Sequence, residues 1–111
     1  MELPHNCSRM KIYIGEEQRI GGVSAYEYIV SAARKNGLAG ATAQRAFMGF
    51  GAQSRLRTSK VLSLSQDLPV VVEIVDTQEK IDEFYNELEP QLEKGLVTVE
   101  EVDVRFYEHI K

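Results

Sequence analysis

A chain of 111 residues with 43% hydrophobic and 27% charged side chains can bury one core but not two, so a single domain is expected. Seventeen carboxylates outnumber thirteen lysines and arginines, and the net charge of −4 argues against general nucleic-acid or membrane-surface binding, which needs a basic excess. Cys7 is the one cysteine, no apolar run approaches the roughly 18 residues of a membrane span, and the opening "MELPHNCSRMK" has no apolar signal core; a cytoplasmic protein in a reducing compartment is expected.

In chain order, residues 1–9 are expected to be an N-terminal extension and residues 10–111 one domain. "RMKIYIGE" alternates Met10, Ile12 and Ile14 with Lys11 and Tyr13, the pattern of a strand with one buried face. "GGV" breaks it. "SAYEYIVSAARKNGL" then carries helix signals: Ser24 and Glu27 at capping-box spacing, and Tyr26, Ile29, Val30 and Ala33 on one stripe. Gly37 can end this helix in the left-handed conformation, with Leu38 covering it.

"ATAQRAFMGFG" predicts a second strand and "KVLSLS" another. After a turn at "QDLP", the β-branched run "VVVEIVD" fits a central strand. Asp76 and Glu79 form a second cap signal, before a stripe of Ile81, Phe84, Tyr85 and Leu88. Pro90 should end or kink that helix near residues 86–89, with a brief resumption. Gly95 and Leu96 close it as Gly37 and Leu38 close the first, and "EVDVRFY" is a final strand.

The halves match: strand, capped helix, "NGLAGAT", strand is answered by strand, capped helix, "KGLVTVE", strand. The simplest fold is α+β, a ferredoxin-like βαββαβ sandwich with both helices on one face of a four-stranded sheet. A long loop, with space for an extra strand, joins the second and third core strands. The face away from the helices would carry Phe47, Phe50, Val71 or Val72, and Tyr107. An apolar bare face implies a homo-oligomer of closed symmetry.

Residues 41–66 hold no Asp or Glu but carry Arg45, Arg55, Arg57 and Lys60. A connection over 50–66 far exceeds an ordinary hairpin loop, which marks it as functional or mobile. Arg55 and Arg57 offer forked donors to phosphate or carboxylate, and Lys60 adds a point charge. Gly49 and Gly51 let the main chain approach a ligand or take positive φ. Arg45, inside a strand, is assigned a structural role. Two explanations stand side by side: a bound anion, most simply a phosphate-bearing small molecule, or pairing with the acidic stretch 73–103, where eleven carboxylates face only Lys80 and Lys94.

Other chemistry has little support. The lone G-x-G does not open a helix, so the dinucleotide fingerprint is absent, and there is no Walker-type G-K-[ST]. His5, Cys7 and His109 match no structural zinc spacing, so no metal site is assigned. Ser54 and the other serines lack a base and orienter nearby in sequence, so no enzyme activity is expected. Tyr13, Tyr26, Tyr28, Phe84 and Tyr85 are assigned to packing rather than base stacking.

The blocks "MKIYIGE", "GLAGATAQRAFMGFGAQSR", "LSQDLPVVVEIVD" and "GLVTVEEV", in this order, resemble the uncharacterised bacterial PII-like family known as domain of unknown function one-ninety, related to nitrogen-regulatory PII proteins. The resemblance runs from about residue 10 to 107. It implies a ferredoxin-like subunit in a homotrimer whose long loop, the T-loop, reports on an adenine nucleotide held between subunits and controls a partner such as a membrane transporter or an enzyme. Gly49, Phe50, Gly51, Arg55, Arg57 and Lys60 fall at that loop and its base. Lys94 and Gly95 fall at another nucleotide-contacting loop, with Arg105 on the strand after it. The sequence departs from PII proteins in having only "EKGLVT" before its last strand and in stopping at "EHIK" where they continue with a basic segment; it also has Gln53 where relatives in the family often carry histidine. A ligand-free scaffold whose basic loop binds an acidic protein surface is the alternative.

Overall fold

The computed structural model describes residues 3–51, 57–58 and 67–107. Strand β1, Asn6–Gly15, starts inside the stretch assigned to an extension, because Asn6 and the residues after it pair with the last strand. Its alternation is as expected: Met10, Ile12 and Ile14 are buried. A small hairpin of β2 (Arg19–Ile20) and β3 (Val23–Ser24) follows. Gly21 and Gly22 both have positive φ, as a two-residue turn of this hand demands.

Helix α1, Ala25–Lys35, buries Ala25, Ile29 and Ala33. The capping box is not made, since Ser24 has no side-chain cap bond and is held instead in the hairpin. The far end behaves as expected: Gly37 has φ +76 and donates to the Arg34 carbonyl, while Leu38 donates to that of Ala33.

Strand β4, Gly40–Arg45, ends sooner than the pattern predicts. After Ala46 and Phe47 the chain forms β5 (Met48–Gly49), which pairs with β6 (Arg57–Thr58) and not with the main sheet. The strand expected over 60–65 lies outside the described residues. Strand β7, Pro69–Asp76, is central, flanked by β4 and β1.

In α2, Gln78–Leu88, the cap is Thr77, whose hydroxyl accepts from the Lys80 amide; Asp76 serves the strand end instead. Pro90 acts as expected. The helix stops at Leu88 and resumes as one 3-10 turn, Glu89–Gln91. Strand β8 runs Leu96–Asp103, earlier than "EVDVRFY" predicts, leaving Arg105 and Tyr107 beyond it.

The main sheet is antiparallel in the order β4-β7-β1-β8, the ferredoxin-like arrangement. Ile29 and Ala33 of α1, and Ile81, Phe84 and Leu88 of α2, pack with Met10, Ile12, Val70, Val72 and Ile74 in one core. Each large aliphatic side chain so buried contributes on the order of 1.5–3 kcal/mol.

The opposite face is not the continuous apolar surface expected. Alternation places Val72 in the core and Val71 outside it, beside Glu73, Arg9 and Lys11. Arg9 bonds Glu100 at 2.9 Å and lies 3.8 Å from Glu73, while Lys11 lies 3.9 Å from Glu100. Phe47 and Phe50 lie outside β4, and Tyr107 has left the strand to donate to the Ala39 carbonyl at 2.8 Å. Charge therefore interrupts the open face at its middle.

Candidate functional site

Register decides which candidate residues can meet. Arg45 and Ile14 both lie opposite Val70, Gly15 lies opposite Pro69, and Tyr13 lies opposite Leu96. The end of β4, the start of β7, the end of β1 and the start of β8 thus share one end of the sheet. Ala46 N–H donates to the Pro69 carbonyl and Glu16 N–H to that of Leu68, each at 2.8 Å. Arg45 pairs with Glu16 at 2.8 Å, consistent with its structural assignment.

Gly49, Phe50 and Gly51 follow at this end. A Cβ on Gly49 would lie 3.0 Å from Pro69 Cγ, so glycine lets the β5–β6 hairpin press against β7. Gly51 has open space around it and no positive φ. Arg57 opposes Gly49 in the β5–β6 pairing. Arg55 and Lys60 lie outside the described residues.

Lys94 and Gly95 lie at the same end of the sheet but on its other edge. Gly95 does not close a helix. With φ +138, its hypothetical Cβ would stand 2.5 Å from the Tyr13 carbonyl, so only glycine lets β8 start hard against β1. The edge strands that lead to Gly49 and Gly95, β4 and β8, are separated by β7 and β1: three strand spacings, or about 14 Å. Arg105 stands elsewhere, past the opposite end of β8, some 23 Å along the strand by rise per residue. It is exposed, with Nε 3.8 Å from Asp103 Oδ2.

A groove of about 280 Å³ that no local sequence pattern announces lies beside Lys94 and Gly95. Ile12, Ile14, Leu92, Leu96 and Val97 supply its apolar lining, and Tyr85, Glu89 and Glu93 its polar groups. The Tyr85 hydroxyl donates to Glu89 Oε2 at 2.9 Å, and that bond, with the carboxylate charge, raises the phenol pKa. Pro90 marks only where the chain must leave α2 and return to β8. At this end, too, both polar atoms of the buried Gln18 amide have no partner among the described residues.

Among the described residues no three His, Cys, Asp or Glu side chains are grouped as a metal would require. His5 lies 3.4 Å from Asp103, His109 lies outside the described residues, and the Cys7 thiol donates to the Pro4 carbonyl. Burial, and then the charge of Asp76, raises the Cys7 pKa, which opposes the thiolate a metal would bind. No helix among the described residues is long and apolar enough to cross a membrane.

Residues 7–104 match the family model DUF190, described as an uncharacterized ACR. A UPF0166 protein of Aquifex aeolicus is 39% identical over 95 residues, covering 86% of this chain and 90% of its own length. One from Methanocaldococcus jannaschii is 28% identical over 96 residues, covering 86% and 88%. Among solved structures, CPII, a nitrogen regulatory PII-like protein from Thiomonas intermedia bound to ADP, AMP and bicarbonate, is similar with a TM-score of 0.67 and 16% identity over 89% of this chain and 88% of that one. The B. subtilis GlnK–ATP complex is similar with a TM-score of 0.54 and 15% identity over 91% and 85%. At such identities the likeness establishes a PII-like fold.

Proposed function

This chain belongs to the DUF190 family, and from that premise we propose that it is a PII-like regulatory protein rather than an enzyme. Three copies hold an adenine nucleotide in the crevices between them. Arg55, Arg57, Lys60 and Lys94 supply cations to its phosphates, with Gly49, Phe50, Gly51 and Gly95 as close-approaching main chain. Arg105 enters such a site only from another copy. The connector over 50–66 is ordered by the effector and then engages or releases a partner, a membrane transporter or an enzyme, in the cytoplasm. The effector biases the connector only as far as it binds the ordered form better.

The observation that carries this proposal is that the chain leaves edge strand β4 towards Gly49–Gly51 and enters edge strand β8 from Lys94–Gly95 at one and the same end of the sheet. In one copy two strands stand between those edge strands; neighbouring copies can bring the two segments together. Nucleotides bound to PII-like proteins of the same fold support the choice of effector.

Thermal unfolding with ATP, ADP and AMP tests it. A nucleotide at 100 times its dissociation constant stabilises by about 2.7 kcal/mol. Arg55→Ala with Arg57→Ala should abolish that response without changing the assembly mass. Absence of any response to all three nucleotides would favour the ligand-free scaffold, which the exposed Phe47 and Phe50 also suit.

A further inference from the structure

We propose that the Tyr107 hydroxyl is a latch: its bond to the Ala39 carbonyl draws residues 104–107 across one end of the sheet and so positions Arg105. What Arg105 then meets, the phosphates of an effector, rests on the function proposed above. The latch itself does not.

Topology gives the segment its course. Asp103 ends β8 at one edge of the sheet, and Ala39 stands just before β4 at the other, both at the end where Ser8 faces Asp76. Three residues of chain reach at most about 11 Å, while the two edges are about 14 Å apart. The segment from Val104 to Tyr107 is therefore drawn out past the ends of β1 and β7. The tyrosine ring supplies the remaining reach.

Few contacts hold it there. At its near end Val104 N–H donates to the His5 carbonyl at 2.8 Å, continuing the pairing of β8 with β1. At its far end the Tyr107 hydroxyl donates to the Ala39 carbonyl, also at 2.8 Å. Between these points Phe106 is 83% exposed and buries little, and the Arg105 side chain is 81% exposed. Among the described residues no other hydrogen bond reaches residues 105–107. One hydroxyl thus decides whether the segment lies across the sheet.

The seat is firm where the arm is not. Ala39 N–H donates to Asp76 Oδ2 at 2.8 Å, and Asp76 is buried at the end of β7. The other oxygen of that carboxylate accepts from Thr77 N–H, and Lys80 of α2 donates to the Gly37 carbonyl nearby in the same loop. Groups of β7 and α2 therefore fix the Ala39 peptide independently of Tyr107.

The consequence falls on Arg105. Its guanidinium lies 3.8 Å from Asp103, a carboxylate that also has His5 at 3.4 Å. An exposed pair of this kind holds a side chain weakly. Main chain pinned on both sides restricts where the guanidinium can go, so less ordering remains to be done when an anion arrives. Tyr107 is a positioning residue here and touches no ligand.

Tyr107→Phe keeps the ring and removes only the hydroxyl, and two measurements on the full chain test the latch. In hydrogen exchange, the Val104 amide should exchange ~5-fold faster in the variant, with the amides of Ile12 and Ile74 unchanged. In titrations with ATP, Tyr107→Phe should raise the Kd by ~5-fold. Arg105→Ala should raise it by ~10-fold, and adding Tyr107→Phe to that variant should raise it no further.

Unchanged exchange at Val104 would overturn the latch. An ATP affinity that ignores Tyr107→Phe, or a loss that persists in full when residue 105 is already alanine, would overturn the positioning of Arg105. Faster exchange in a protein that binds no ATP would leave the latch standing and remove the effector. Bound ATP with unchanged exchange would do the reverse.

Discussion

The two ends of the sheet are built differently. At the end where Ser8 faces Asp76, polar groups are buried and satisfied: Asp76 Oδ1 accepts from Thr77 N–H and Oδ2 from Ala39 N–H, and Ser8 bonds the Gln78 side chain. Lys80 donates to the Gly37 carbonyl at 2.9 Å, and Tyr107 ties the C-terminal segment to Ala39. At the end where Gly15 faces Pro69, the described residues expose Phe47 and Phe50, leave the Gln18 amide unpartnered and open a groove. One end is closed upon itself and the other is left available. Polar closure near Asp76 anchors both helices, so the opposite end can carry a binding surface that adds little to the stability of a single copy.

Substitutions can break this contrast. Asp76→Ala should have the largest effect, about 3 kcal/mol in urea denaturation, because it leaves the Ala39 and Thr77 amides without their acceptor. Gly95→Ala should cost about 2 kcal/mol, since its Cβ meets the Tyr13 carbonyl on a strained backbone. Gly51→Ala, in open space at the available end, should stay within about 0.5 kcal/mol of the parent.

Helix caps sharpen the same comparison. Thr77→Ala removes a cap bond at the closed end and should cost about 1 kcal/mol in thermal denaturation. Ser24→Ala removes no cap bond at the other end and should cost less. The smallest effect concerns Cys7. Its folded pKa lies above the unfolded value of 9.0, so the folded state holds its proton more tightly. Stability is therefore full below pH 9.0 and declines as pH rises from there towards the folded value. Cys7→Ala should flatten that alkaline decline in a pH series of denaturation midpoints.

Much of the fold was legible from local pattern. Met10, Ile12 and Ile14 declared one strand face, the Ile81–Phe84–Leu88 stripe declared a helix, and Gly37 and Pro90 marked where helices end. Failures came where two local signals competed. Ser24 and Glu27 have capping-box spacing, yet hairpin pairing holds Ser24; Asp76 resembles a cap, yet Thr77 takes that role while Asp76 gathers amides from two elements. Nothing along the chain marks Gly95 as different from Gly37, because the carbonyl it must clear belongs to Tyr13, far away in sequence.

The candidate site was legible only in its ingredients. Absence of acid over 41–66 and the glycines at 49 and 95 are properties of the chain itself, visible without folding. Periodicity likewise sets which side chains a strand or helix buries, since that depends on neighbours two to four positions apart. Which strand each glycine presses against, the charge cluster of Arg9 with Glu73 and Glu100, and the groove behind Pro90 arise only when distant segments come into register. Pairing across the sheet is a long-range choice, made by the common core that β1, β7 and both helices bury together.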